Sequence, residues 1–323
     1  MARRPRPQRS TAPTPTRSPR AAKSSIAPKP AVPREHGRFD YSATVDRPPL
    51  RWPNDARVAL WVIPNIEHFL FDRPATRLAD SALGLNPDVL NYSWRDYGVR
   101  VGIWRMMEVM ERHGVKGTVA LNSDVCKHYP RIIAAGKALG WEWMGHGVTN
   151  SIMFRDQSEA EERAQIKEAV ATITASVGKA PRGWLSPALS ETVRTLDILA
   201  EHGIEYVGNW VNDDQPYPMR VKKGRMFSIP YSSEINDIPA LLGLHQSPER
   251  FGQMICDQFD VLYEDGAKTG RVMSICLHPF LVGHPHRSKY FAQALAHVTS
   301  RQEVWVTTGS EIIDWYKANY LKE

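Results

Sequence analysis

The chain has 323 residues, of which 42% are hydrophobic, so it can bury the core of one large domain or of two smaller ones. Its formal net charge of +6 comes from residues 1–34, which hold nine of the 41 Lys and Arg residues and no Asp or Glu. The 32 basic residues that remain are outnumbered by the 35 acidic ones. A role in binding nucleic acid or an anionic membrane would therefore depend on this segment alone, and we expect neither partner.

Residues 1–38 are predicted to form a disordered basic tail. Eight prolines and almost no large apolar side chains in 1–34 leave the segment unable to offset the entropy lost on folding. Its Arg- and Ser-rich composition also occurs in transit peptides, but the prolines oppose an amphipathic helix. We expect no secretory signal and no membrane span, since no apolar run is long enough. Three cysteines without a C-x-x-C pair are typical of reduced thiols, which indicates a cytoplasmic protein.

Residues 39–323 are predicted to form one domain in which strands and helices alternate. The apolar run 57–66 is typical of a strand covered on both faces. A helix follows over 98–114, and its apolar face comprises Val99, Ile103, Met106, Met107 and Met110. Next come a strand over 115–122, a short helix ending near Leu139 and a strand over 141–147.

The second half of the domain repeats this order. Ser158 and Glu161 form a capping box that opens a helix ending near Val177. Further strands are predicted at 182–187, 205–210, 226–232, 271–280 and 303–308, and further helices at 190–203, 247–264, 288–300 and 310–320. Seven or eight such units in roughly 270 residues favour a distorted (β/α) barrel of parallel strands, with its active site at the carboxyl ends of the strands.

Polar side chains follow several of the predicted strands. One such residue usually lies at the surface or in a turn, and a tryptophan there usually packs in the core. Their occurrence at successive strand ends nevertheless predicts a shared site. The candidates are Asn65, Glu67 and His68, then His146 and Asn150, then Arg182 and Trp184, then Trp210, Asp213 and Asp214, and finally His278.

This arrangement resembles the polysaccharide deacetylase superfamily, whose shared unit is the NodB homology domain, over about residues 57–316. The family ends its first strand in Asp-Asp, where this chain has Glu67 and His68. Its H-[ST]-x-x-H motif is matched by His146 and Asn150, and its Leu-x-His motif by "ICLHP" with His278. The resemblance implies that Glu67 is a general base and His278 a general acid, and that His68, His146 and Asn150 occupy the metal-ligand positions.

The family's arginine–proline segment is similar to residues 182–187. The stretches "NIEH", "HGVTNS" and "LHPFLVGHPHR" look closer to PuuE-type allantoinases, a cytoplasmic branch that hydrolyses the hydantoin ring. Related members act on peptidoglycan or on cyclic imides. The resemblance therefore implies a hydrolase of non-peptide C–N bonds whose substrate is a small molecule or an oligosaccharide, either an N-acetyl group or a cyclic amide. Homo-oligomers also occur among such barrels.

Amide hydrolysis requires an activated water and a proton donor for the leaving nitrogen. Glu67 can accept the water proton if burial raises its pKa toward neutrality, and His278 can return a proton to nitrogen. The amide of Asn150 weakens a zinc site, because zinc prefers nitrogen or sulfur ligands. Two alternatives remain open: a weakly bound divalent metal such as zinc, or metal-free catalysis in which Asn150 binds the substrate.

The other strand-end residues are expected to contact the substrate. They are Asn65, Arg182, Trp184, Trp210, Asp213 and Asp214. A different interpretation is a catalytically silent barrel that binds a ligand and has lost its metal centre at Asn150. The presence of both Glu67 and His278 counts against it, since a binding protein needs neither an acid nor a base.

Overall fold

The computed structural model describes residues 32–321 except 74, 83 and 156, so most of the predicted tail lies outside the described residues. The described residues from Arg34 onward form one compact unit. Arg38 is already part of it, because its guanidinium binds Asp197 at 3.0 Å and the carbonyl of Val193 at 2.7 Å. The folded domain therefore begins before residue 39.

The central feature is a curled, mostly parallel sheet. Its strands are β1 (Val58–Ile66), β2 (Thr118–Leu121), β3 (Glu142–Gly145), β4 (Gly183–Trp184), β5 (Tyr206–Val207), β6 (Tyr217–Met219), β7 (Met226–Ser228), β8 (Arg271–Leu277) and β9 (Val304–Val306). They are ordered β6-β7-β5-β4-β3-β2-β1-β8, and β9 pairs with β1. Only the pairing of β6 with β7 is antiparallel among the named strands of the described chain. The predicted distorted barrel is confirmed.

Helices follow most of the strands along the chain. They are α1 (Val89–Tyr97), α2 (Ile103–Arg112), α3 (Ser123–His128), α4 (Pro130–Ala138), α5 (Glu159–Val177), α6 (Thr195–Glu201), α7 (Pro248–Gly266), α8 (Pro279–Val282), α9 (Pro285–Thr299) and α10 (Gly309–Tyr320). None of the helices in the described part of the chain has the length and apolar character needed to cross a membrane.

Helix α1, strand β6 and the short helix α8 were missing from the prediction, and the first two residues of α8 fall in the predicted strand 271–280. Helix α1 precedes the predicted start at Gly98 and joins α2 through a π-helical turn over 98–102. It escaped notice because two of its three buried residues, Asn91 and Arg95, are polar. The edge strand β6 contains Pro218, which opposes assignment to a strand in the middle of a sheet.

Strand β1 explains how the site residues are placed. Val58, Leu60 and Val62 pack against the outer helices, whereas Trp61 and Ile63 lie in the cluster inside the barrel. Successive side chains point to opposite faces of a strand, and both faces here are covered, which accounts for the unbroken apolar run. The side chains of β1 keep this alternation up to the carboxyl end of the strand, so the inner face also carries side chains there.

Candidate active site

Glu67 follows the last residue of β1, and its carboxylate is the centre of the candidate site. The side chain is 2% exposed. Its Oε1 accepts a hydrogen bond from Nδ2 of Asn150 at 2.7 Å and lies 3.4 Å from Nε2 of His146 and 3.6 Å from Nε2 of His278. Its Oε2 is buried and has no hydrogen-bond partner among the described residues. Oε2 is thus the oxygen left open to an incoming molecule.

His146 follows β3 and is oriented by the neighbouring strand. Its Nδ1 lies 2.6 Å from the carbonyl oxygen of Leu185. A carbonyl can only accept, so Nδ1 donates to it, and this contact holds the ring with Nε2 toward Glu67.

Asn122, at the end of β2, holds the two neighbouring strand ends together. Its side chain accepts a hydrogen bond from the backbone N–H of His68 at 2.9 Å and donates one to the backbone carbonyl of His146. Asn122 was not predicted as a site residue, although its position directly after a strand was a usable signal.

His278 follows β8 and is bound through two contacts to the fully buried Asp237. Nδ1 lies 2.6 Å from one carboxylate oxygen, and the backbone N–H donates to the other at 2.8 Å. This pair fixes the ring with Nε2 toward Glu67. Asp237 was not predicted, because it does not directly follow an apolar run in the sequence. In the structure, a β-bridge between Asn236 and Cys276 places it beside β8.

The charges in this cluster stabilise one another. Burial favours the neutral form of Glu67, but the imidazoles of His278 and His146 outweigh it and lower the pKa of Glu67 to about 2. Burial likewise opposes protonation of His278, but Asp237 and Glu67 raise its pKa to about 10. The expectation that burial raises the pKa of Glu67 toward neutrality is therefore wrong. At neutral pH Glu67 is a carboxylate and His278 an imidazolium.

The ring of His68 contacts α3. It stacks on His128 with ring centroids 4.5 Å apart, and its Nδ1 lies 3.8 Å from a carboxylate oxygen of Asp124. Burial and the neighbouring His128 lower the pKa of His68, so its neutral form is favoured. Its backbone carbonyl accepts hydrogen bonds from Thr149 Oγ1 at 2.8 Å and from the N–H of Asn150 at 2.9 Å. His68 therefore holds the loop that carries Asn150.

The predicted metal ligands do not fit a zinc site as they are placed. His146 contacts Glu67, the ring of His68 contacts α3, and Asn150 directs its NH₂ group at Glu67. An NH₂ group cannot bind a cation, and two imidazoles supply no negative charge. In the described part of the chain, no group of three or more His, Cys, Asp or Glu side chains is arranged to hold a metal ion.

Three of the residues that were predicted to contact the substrate instead contact other residues of the protein. The amide of Asn65 donates within the barrel to Tyr231 Oη and to the carbonyl of Leu277, each at 3.3 Å. Trp184 is fully buried and packs so closely on Gly145 that an added Cβ would lie 2.3 Å from the indole. Trp210 is partly buried against Phe39, with ring centroids 5.3 Å apart. Packing accounts for both tryptophans.

Arg182 lies at the opposite edge of the sheet, because it precedes β4 instead of following it. It pairs with Glu205 at 2.8 Å and with Asp314 at 2.6 Å. Its predicted position beside Glu67 is wrong.

Asp213 and Asp214 also lie away from Glu67. Asp213 pairs with Arg47 at 2.7 Å, and the carbonyl of Asp214 accepts from Val272 near the amino end of β8. Burial raises the pKa of Asp214, and the nearby Arg271 opposes this shift. The chain turns back after β5. Asp213 and Asp214 therefore lie near the amino edge of the sheet, although they follow β5 in sequence.

Residues 92–207 match the family described as Polysaccharide deacetylase. A Schizosaccharomyces pombe protein to which polysaccharide deacetylase activity has been attributed is 27% identical over 298 residues, covering 83% of this chain and 93% of its own. Peptidoglycan deacetylase of Helicobacter pylori is 24% identical over 260 residues, covering 69% and 86%. The crystal structure of PuuE allantoinase superimposes with a TM-score of 0.76 and 25% identity, covering 88% and 100%.

The family match over residues 92–207, the two relatives and the PuuE structure thus confirm the resemblance to polysaccharide deacetylases that the motifs indicated. This similarity supports a hydrolase that acts on carbon–nitrogen bonds.

Proposed function

We propose that the protein hydrolyses the C–N bond of a cyclic amide, with Glu67 as general base and His278 as general acid. One observation carries the proposal: Oε1 of Glu67 and Nε2 of His278 lie 3.6 Å apart, and the buried Asp237 holds the histidine in place. The lowered pKa of Glu67 and the raised pKa of His278 favour a carboxylate and an imidazolium at neutral pH. These are the protonation states that a base and an acid need before the reaction begins.

Each proton has a defined route in this reaction. A water bound at Oε2 of Glu67 gives its proton to the carboxylate while its oxygen adds to the carbonyl carbon. Nε2 of His278 then protonates the ring nitrogen, and the C–N bond breaks to give a carboxylic acid and a free N–H group, which belongs to a urea when the ring is a hydantoin. The proton on Glu67 passes back to His278, which restores the starting state.

The acid and the base are coupled in this scheme. Burial raises the pKa of Glu67, and the opposing positive charge of His278 is the largest influence that lowers it. When His278 gives up its proton to the leaving nitrogen, that charge disappears and the proton affinity of Glu67 rises. Loss of the proton at one group therefore favours gain of a proton at the other.

Two observations support a cyclic amide as the substrate. The similar PuuE allantoinase is named for hydrolysis of allantoin, a ring amide. In addition, Asn150 holds the base through its NH₂ group and the ring of His68 turns toward α3, so the predicted metal ligands do not converge on one point. Because the donor set does not fit zinc, no step here depends on a metal.

Removal of an N-acetyl group is the second candidate, and the similarity to the Helicobacter pylori peptidoglycan deacetylase favours it. The same base and acid would serve, with acetate as the product.

The test is to incubate the purified protein with allantoin and, separately, with N-acetylglucosamine oligomers, following ring opening and acetate release by NMR. We expect ring opening that changes less than about twofold after treatment with a chelator. Acetate release without ring opening would select the second candidate. Binding of either compound without turnover would support the silent barrel instead.

A further inference from the structure

Arg95, on α1, is a buried cation that the proposed reaction does not use. The residue is 4% exposed. Nη1 donates to the carbonyl of Thr76 at 2.6 Å, and the guanidinium carbon lies 4.7 Å from the ring centroid of Phe69. Its Nε is buried without a hydrogen-bond partner, and no carboxylate lies within 4.0 Å of Arg95 among the described residues.

A guanidinium in such a place is normally paired, because removing a charge from water is costly unless other groups replace the lost hydrogen bonds. Burial lowers the pKa of Arg95, although more distant charges, among them Asp88 and Glu67, oppose that shift. One carbonyl and one aromatic face leave much of its hydrogen-bonding capacity unused. The structure thus provides a donor that lacks an acceptor.

Arg95 lines a small cavity together with the proposed base. The cavity is lined by Glu67, Phe69, Tyr92, Arg95, Asp96, Val99 and Tyr129. Its free volume is about 10 Å³, which is near the space that one water molecule needs. A sugar ring is far too large for it, whereas a single oxygen substituent has the right size.

We propose that Arg95 binds a second carbonyl oxygen of the substrate, distinct from the carbonyl that Glu67 and water attack. This inference rests on the proposed function, whose test substrate allantoin already has two ring carbonyl groups, and it adds the residue that recognises the second one. The second oxygen enters the cavity beside Glu67 and accepts the hydrogen bonds that Arg95 lacks. Arg95 is accordingly a specificity-determining residue that contacts substrate without taking part in proton transfer.

The experiment compares two ligands that differ by one carbonyl group, hydantoin and imidazolidin-4-one, which keeps the amide carbonyl that water attacks and lacks the second one. Their affinities are measured by isothermal titration calorimetry on the Glu67→Gln variant, which holds both ligands unreacted. We expect hydantoin to bind about 10- to 100-fold more tightly, as a hydrogen bond to a charged group allows. Adding Arg95→Met should abolish this preference, and Arg95→Lys, which keeps the charge, should retain part of it.

Arg112→Met, in the last turn of α2 and exposed, is the matched control and should leave the preference unchanged. A melting curve of each variant shows whether it is folded, and Arg95→Lys provides the test if Arg95→Met is not. Equal binding of the two ligands, no binding of hydantoin, or an unchanged preference in a folded Arg95 variant would overturn the inference.

The proposed function is judged separately, by turnover of the wild-type protein and its loss in Glu67→Gln. Normal turnover in Glu67→Gln would remove the proposed function whatever Arg95 does. Loss of turnover together with an unchanged ligand preference in Arg95→Met would remove the role of Arg95 alone.

Discussion

The two edges of the sheet carry the same kinds of charged residue but use them differently. At the amino edge, Arg182 forms ion pairs with both Glu205 and Asp314. All three side chains are partly exposed, so each charge is both paired and solvated. At the carboxyl edge, Glu67 and His278 are almost completely buried. There Oε2 of Glu67 also lacks a hydrogen-bond partner among the described residues.

This difference separates a stabilising network from a reactive site. Partly exposed pairs gain little from each other, because water screens their charges. Buried groups interact strongly, shift one another's pKa values and can be stabilised further by a ligand that supplies the missing partner. The four predictions that follow test whether the two edges differ in this way.

The largest effect is expected from Glu67→Gln, which removes the base and keeps the shape of the side chain. Turnover of allantoin, or of whichever amide is found to react, should fall at least about 100-fold. The exposed Glu108→Gln on α2 is the control and should be unaffected. Near-normal turnover in Glu67→Gln would show that the buried carboxylate is structural, as at the amino edge.

Asp237→Asn should have the next largest effect, because it removes the carboxylate that keeps His278 protonated. Activity requires the protonated histidine, so it is lost as the pH rises through the pKa of His278, about 10 in the native protein. In the variant this alkaline limb of the kcat/KM profile should move down by about three pH units, toward the ordinary histidine value. At pH 8, activity should fall roughly 10- to 100-fold.

The control for Asp237→Asn is Asp260→Asn, which disrupts an exposed Asp–His pair with His297 at 2.8 Å. It should leave the profile unchanged, and an unmoved alkaline limb in Asp237→Asn would contradict the role of the buried pair.

The pH dependence of stability offers a second readout. The pKa of His278 is raised from 6.5 to about 10, so its stabilising effect is complete below pH 6.5 and disappears as the pH rises toward 10.

Asn150→Asp should have a smaller effect of the same kind. It replaces the NH₂ group 2.7 Å from Glu67 by a carboxylate oxygen, and repulsion between the two charges raises the pKa of Glu67. We expect the acidic limb of the kcat/KM profile to move upward by about two pH units, so that kcat/KM falls about tenfold at pH 3 and changes little at pH 7. Asn319→Asp, exposed on α10, introduces the same charge and should not change the profile. An unmoved acidic limb in Asn150→Asp would argue against contact between Asn150 and the base.

The smallest effect on activity is expected from Arg182→Gln at the amino edge. Turnover should stay within about twofold, whereas the free energy of unfolding should fall by about 1 kcal/mol, measured by urea denaturation. Arg163→Gln, which breaks a similar pair of bridges to Glu159 and Glu201, is the comparison and should behave alike. A large loss of turnover in Arg182→Gln alone would return this residue to the site.

Most of the barrel could be predicted because its signals are local. The apolar run of β1 and the capping box at Ser158 each depend on residues that are close in sequence. Helix α1 and strand β6 were missed where buried polar residues or a proline weakened the pattern. The convergence of Glu67, His146 and His278 followed from one general rule, that the carboxyl ends of parallel strands meet at one edge.

The sequence by itself determined the alternation of strands and helices and the polar residues at the ends of β1, β3 and β8. Tertiary structure alone decided that Asp237 binds His278, 41 positions away, that His68 turns toward α3, and that Arg182 lies at the far edge. The physical reason is the range of the interactions. Periodicity and capping act over a few residues, whereas charge pairing, burial and the resulting pKa shifts depend on which distant segments the fold brings into contact.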